Sequence, residues 1–203
     1  MTGRRQLLVG LLWLAAFSTA LGSLLYILGP PEKFSLPFRQ KYVDHLWLVR
    51  THGIGASLTL LLGPLQFSRR RNLSHRIVGY GYLAGSLIGA LTALPMSLMA
   101  VGGPGSQLGF LIMSLLWIVT AVKAFQTARS KLFEQHRIWV IRSFSLAFGA
   151  VALRFYLFCA EAAGGEFYSV YPTSVWISWL PCLVAGEFTI QKISSKVDVG
   201  ELS

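Results

Sequence analysis

Apolar residues in this chain gather into long runs separated by short polar breaks. The runs cover about residues 7–28, 45–67, 77–98, 108–122, 138–160 and 173–190. A helix of roughly 20 apolar residues crosses the hydrocarbon of a bilayer. The pattern therefore predicts an all-α integral membrane bundle of about six transmembrane helices, forming a single domain over residues 1–203. The first run is longer than the roughly 7–15 apolar residues of a cleaved signal, so it reads as an uncleaved first helix. Gly29-Pro30-Pro31 stops it, since proline ends or kinks a helix. Residues 32–44 read as an outer loop, with Phe34, Phe38 and Tyr42 placed where aromatic side chains favour the membrane interface. The glycine-rich break at 101–105 is a second outer turn, and residues 161–172 an outer loop.

The remaining breaks are basic. One holds Arg69, Arg70, Arg71, His75 and Arg76; the other runs from Lys123 through Gln135-His136-Arg137. Arginine is costly in hydrocarbon, and positive loops stay on the cytoplasmic side. This predicts a cell inner (plasma) membrane protein with both termini cytoplasmic. Each basic break joins two apolar runs. The layout expected is a four-helix centre of two hairpins, flanked by the first and last helices.

Composition strengthens this picture. The chain is 54% hydrophobic and 13% charged, against about a quarter charged in soluble domains. Its net charge of +10 sits between the apolar runs. That distribution is a topology signal, and it excludes nucleic acid as the expected partner. The partner expected is the lipid bilayer, with a membrane protein or a second copy as a further possibility. Cys159 and Cys182 lie in apolar runs and read as buried thiols. No Walker loop, dinucleotide fingerprint, HExxH, CxxC or nucleophile elbow is present, which argues against a hydrolase or an ATP-driven pump.

Ionisable residues within spans are the candidates for chemistry. His75 and His136 open the third and fifth predicted helices on the basic side, where two imidazoles could ligate a haem iron. Arg76, Arg137 and Arg142 are placed to neutralise haem propionates. His52 and Arg154 lie at comparable depth near the opposite side and could share a ligand such as a quinone. His45 lies seven residues before His52, on the same helix face, so the two do not bracket one haem. Arg142 and Glu187 read as a salt bridge. Gly81, Gly85, Gly89 and Ala93 form a small-residue stripe that admits a neighbouring backbone or a flat cofactor. Two functions follow as expectations. One is a redox protein in electron transport, holding b-type haem or a quinone between the second and fifth helices. The other is a non-enzymatic small-molecule transporter or accessory subunit of a membrane complex.

These residues also carry a resemblance. They are His52-Gly53, Gly63-Pro64-Leu65-Gln66-Phe67, His75-Arg76, His136-Arg137 with Arg142-Ser143, Arg154-Phe155-Tyr156, and Trp179-Leu180-Pro181 with Glu187. Over about residues 48–187 the chain resembles a bacterial family of predicted multi-pass membrane proteins, known as domain of unknown function family 2306. The resemblance implies an all-helical membrane domain and no settled activity. Members typically carry Asn after the last proline, where this chain has Cys182. The layout is distantly similar to that of di-histidine membrane cytochromes.

Overall fold

The computed structural model describes residues 3–67 and 72–200. Seven α-helices follow one another: α1 (Gly3–Leu28), α2 (Leu36–Asp44), α3 (Leu46–Gln66), α4 (Leu73–Leu98), α5 (Pro104–Arg129), α6 (Phe133–Ala162) and α7 (Phe167–Gly200). There is no strand among the described residues. Arg69, Arg70 and Arg71 lie outside them.

Local chemistry sets the helix ends. Asn72 caps α4, its side-chain oxygen accepting from the His75 backbone N–H at 3.0 Å; such a cap occupies one of the free N–H groups at a helix start. Pro104 opens α5, where a missing N–H costs nothing, directly after Gly102 and Gly103 at φ +85° and +82°. Pro37 similarly lies in the first turn of α2.

α3, α4, α5 and α6 close into a ring in that order, with α1 against α3 and α7 against α6 and α5. This is the four-helix centre with flanking first and last helices. α3 and α4 approach backbone to backbone. A methyl added at Gly55 would lie 2.6 Å from the Gly89 nitrogen, and one at Gly85 would lie 2.9 Å from the Gly55 oxygen. The glycine stripe is thus filled by a neighbouring helix. Buried hydroxyls cross the ring: Tyr82 donates to Ser143 Oγ at 2.9 Å, and Thr59 and Ser86 are 3.3 Å apart. Large apolar side chains such as Leu12, Phe17, Leu91, Phe158 and Phe188 cover the outside.

Five helices, α1, α4, α5, α6 and α7, are long and apolar enough to cross a membrane. α3 has the length, but Arg50, His52, Thr59 and Gln66 lower its hydropathy. Several of its polar groups are served by neighbours: Arg50 donates to the Ile27 and Gly29 carbonyls, and Ser57 to the Ala20 carbonyl.

Several sequence expectations are corrected. Residues 32–44 hold a short 3-10 turn and α2 rather than a loop. The 161–172 loop shrinks to 163–166, because Pro172 falls inside α7. The basic stretch from Lys123 is helical to Arg129, since both helices project past their apolar segments. Cys159 is exposed on the outside of the bundle, not buried, and Cys182 is half-buried, with its thiol 3.1 Å from the Ser178 carbonyl.

Candidate functional site

A cavity of about 590 Å³ opens at the end of the bundle away from the basic turns. That volume falls in the range of small-molecule sites. α1, α3, α4, α5, α6 and α7 form its walls, and α2 crosses its mouth. Phe34, fully buried, pins the chain before α2, and Lys41 Nζ donates to the Met99 carbonyl at 2.8 Å, tying α2 to the end of α4. Phe38 stacks on Tyr42 and packs against Phe167 and Tyr171, joining α2 to α7.

The lining is largely apolar, with a few convergent polar groups. His52 and Arg154, on α3 and α6, both line it. His52 Nδ1 lies 2.9 Å from the Gly89 carbonyl. A carbonyl oxygen only accepts, so Nδ1 carries the proton. In the neutral ring this tautomer leaves the lone pair on Nε2, the nitrogen able to accept a proton or bind a metal. Arg154 donates to the Ala150 carbonyl and to Ser23 Oγ, each at 2.9 Å. The hydroxyls of Tyr42 and Tyr171 stand within its electrostatic reach. Burial pushes the Tyr42 hydroxyl up to about 12, so this phenol, on α2 outside the spans, keeps its proton.

The candidates at the basic end are arranged differently. His136 Nδ1 lies 2.8 Å from the Ala124 carbonyl, which fixes the same tautomer as in His52 and joins α6 to α5. His75 sits in the first turn of α4. Arg76 is exposed and Arg137 half-buried near these helix starts. Arg142 makes a bidentate pair with Glu187, Nε–Oε1 2.6 Å and the second nitrogen 3.0 Å from Oε2. Its guanidinium also lies over the Trp139 ring, at 4.7 Å. None of these residues lines the cavity. His45 is exposed, at the junction of α2 and α3.

Sequence reasoning missed α2 as the cover of the cavity, and Tyr42, Tyr171 and Ser23 as its polar groups. The signal for α2 was present in Ser35 and Pro37 just ahead of an aromatic, basic segment. Tyr171 comes to Phe38 only through tertiary packing, which no local pattern contains. No group of three or more His, Cys, Asp or Glu side chains suited to a metal ion occurs among the described residues.

Fold and cavity together define a helical integral membrane protein with a ligand-sized chamber in one half of its bundle. The family model for a predicted membrane protein, DUF2306, matches residues 49–190, well over half of the chain. The chain belongs to that family. No curated protein and no solved structure matches it.

Proposed function

We infer that the chain is a membrane redox protein whose outer cavity holds an amphipathic cofactor, b-type haem or a quinone. One observation carries this reading: an imidazole held through Nδ1 by the Gly89 carbonyl lines a largely apolar chamber. Its Nε2 can bind a haem iron or take the proton of a ligand hydroxyl. Backbone bonding through the other ring nitrogen is the usual way a ligating imidazole is oriented. Arg154 and the Tyr42 hydroxyl would donate to the oxygen atoms of the bound molecule, and the apolar walls would take its body. When bound, the group supplies the electron chemistry, and the chain supplies orientation, a proton acceptor and exclusion of water.

His136 supports a second site at the basic end. Its Nδ1 is tied in the same way, leaving Nε2 for a haem iron with His75 as the partner ligand, and Arg76 and Arg137 near the propionates. Arg142 is already engaged by Glu187.

The test is the purified protein in mild detergent, from membranes replete with haem and quinone. The expected result is either a Soret band or roughly equimolar extracted quinone, lost in His52→Ala. Loss in His75→Ala or His136→Ala with His52→Ala unaffected would move the site to the basic end. Folded protein that carries and rebinds neither group would refute the redox reading. The transporter or accessory role would then stand, tested by uptake in Arg154→Ala.

In this reading the basic end faces the cytoplasm, by the positive-inside rule. A reporter fused after Ser203 is expected to be cytoplasmic, and a periplasmic signal would reverse the orientation.

A further inference from the structure

The polar lining of the outer cavity has one sign of charge. Arg154, Lys41 and His52 line it, and no Asp or Glu does. A guanidinium has five N–H donors. Arg154 uses two, on Ala150 and Ser23, and it forms no ion pair among the described residues. Three donors therefore remain on a permanent cation about 12 Å along the helix from the end of α6, taking 1.5 Å per residue. Contrast Arg142 in the same helix, whose charge Glu187 matches. Charges at such depth are normally paired or placed on a ligand path. Tyr171, 5% exposed, also lines the cavity. The other walls are apolar, including Leu60, Met113 and Leu157.

We propose that the cavity selects acidic amphiphiles: the occupant has a carboxylate head that pairs with Arg154 and an apolar body that fills the chamber. This deepens the cavity reading above and rests on it. A carboxylate matches the planar guanidinium fork bidentately. The head pairs with the Arg154 guanidinium, and the Lys41 ammonium, held by the neutral Met99 carbonyl and in no ion pair among the described residues, adds a second positive charge at the mouth. Between the two cofactors considered above, haem carries carboxylates and a quinone head is neutral. A long-chain fatty acid offers the same chemistry.

The experiment uses full-length protein in lipid nanodiscs and measures binding by tryptophan quenching. The probes are cis-parinaric acid and its methyl ester, haemin and its dimethyl ester, and a short-tailed quinone. The expected result is that at least one acid binds about 10- to 100-fold tighter than its ester, the scale of a charge-assisted hydrogen-bond pair. Which acid does so distinguishes fatty acid from haem. Arg154→Gln should bring acid and ester to parity, and Arg154→Lys should keep part of the preference. Ester binding that survives in Arg154→Gln certifies that the variant is folded. Equal binding of acid and ester in the parent protein, or a preference unchanged in Arg154→Gln, overturns the proposal. If the quinone still binds in that case, the cavity reading stands without it. If no probe binds, both fall.

Discussion

Replacing Gly55 by alanine should separate α3 from α4. The new methyl would lie 2.6 Å from the Gly89 nitrogen and 2.9 Å from the Gly85 oxygen, the first about 0.8 Å short of ordinary contact. Both obstacles are backbone, so no side chain can swing away. Overpacking of this kind costs about 1–3 kcal/mol. The separation also stretches the His52 bond to the Gly89 carbonyl, at about 1 kcal/mol, while alanine returns up to about 1 kcal/mol of helix propensity. The net expectation is a loss of about 1–3 kcal/mol, or a fall of roughly 2–10 °C in thermal midpoint for a chain of this size. Gly10→Ala is the control, because a methyl there meets nothing within 4 Å. The assay is loss of the monodisperse peak in size-exclusion chromatography after graded heating in detergent. If Gly55→Ala is as stable as Gly10→Ala, the two helices do not meet through these glycines and the reasoning fails.

Other outcomes follow from single contacts. Tyr82→Phe removes the bond to Ser143 and should cost about 0.6 kcal/mol, at most about 2, as for other intramembrane side-chain bonds; a larger loss in the same heating assay would mean that the hydroxyl organises more than one helix pair. The Arg142–Glu187 pair is 28% and 39% exposed, so a double-mutant cycle with Arg142→Met and Glu187→Gln should give a coupling of about 1 kcal/mol or less. Tyr42 binds its proton more tightly folded than unfolded. Its contribution is complete below about pH 10, the ordinary phenol value, and declines as pH rises towards about 12; Tyr42→Phe should flatten that part of the alkaline unfolding profile.

The six long helices were legible because length and hydrophobic run determine what can span a bilayer, and short breaks force neighbouring helices to run antiparallel; their packing order around the ring was not, because it is set by tertiary contacts. Arg142 with Glu187 was legible for a related reason: each ion sits near the same end of consecutive helices. The cavity was legible only in two of its ionisable residues, His52 and Arg154. Its cover was not, because α2 is short and weakly patterned, and its place over the chamber comes from Phe34, Lys41 and the ring cluster with Tyr171. The sequence set Arg142 beside Glu187 and Arg154 beside His52; packing adds that Arg154 donates to the Ala150 carbonyl and Ser23 and lines the chamber.

α3 has a consequence for biogenesis. On insertion scales an arginine costs about 2.5–3.5 kcal/mol at a helix centre and less towards its ends; α3 carries Arg50 and His52 in its second turn and Gln66 at its last position. Its partners are the Ile27 and Ala20 carbonyls before it and the Gly89 carbonyl after it. The segment is therefore expected to enter the bilayer more favourably once α1 is in lipid and α4 has been synthesised. A nascent chain ended near residue 72 would have one anchored helix and one stranded segment. The polar helix at the middle of the bundle is the last of the first three long helices to settle, carried into the bilayer by the neighbours on either side of it in the chain.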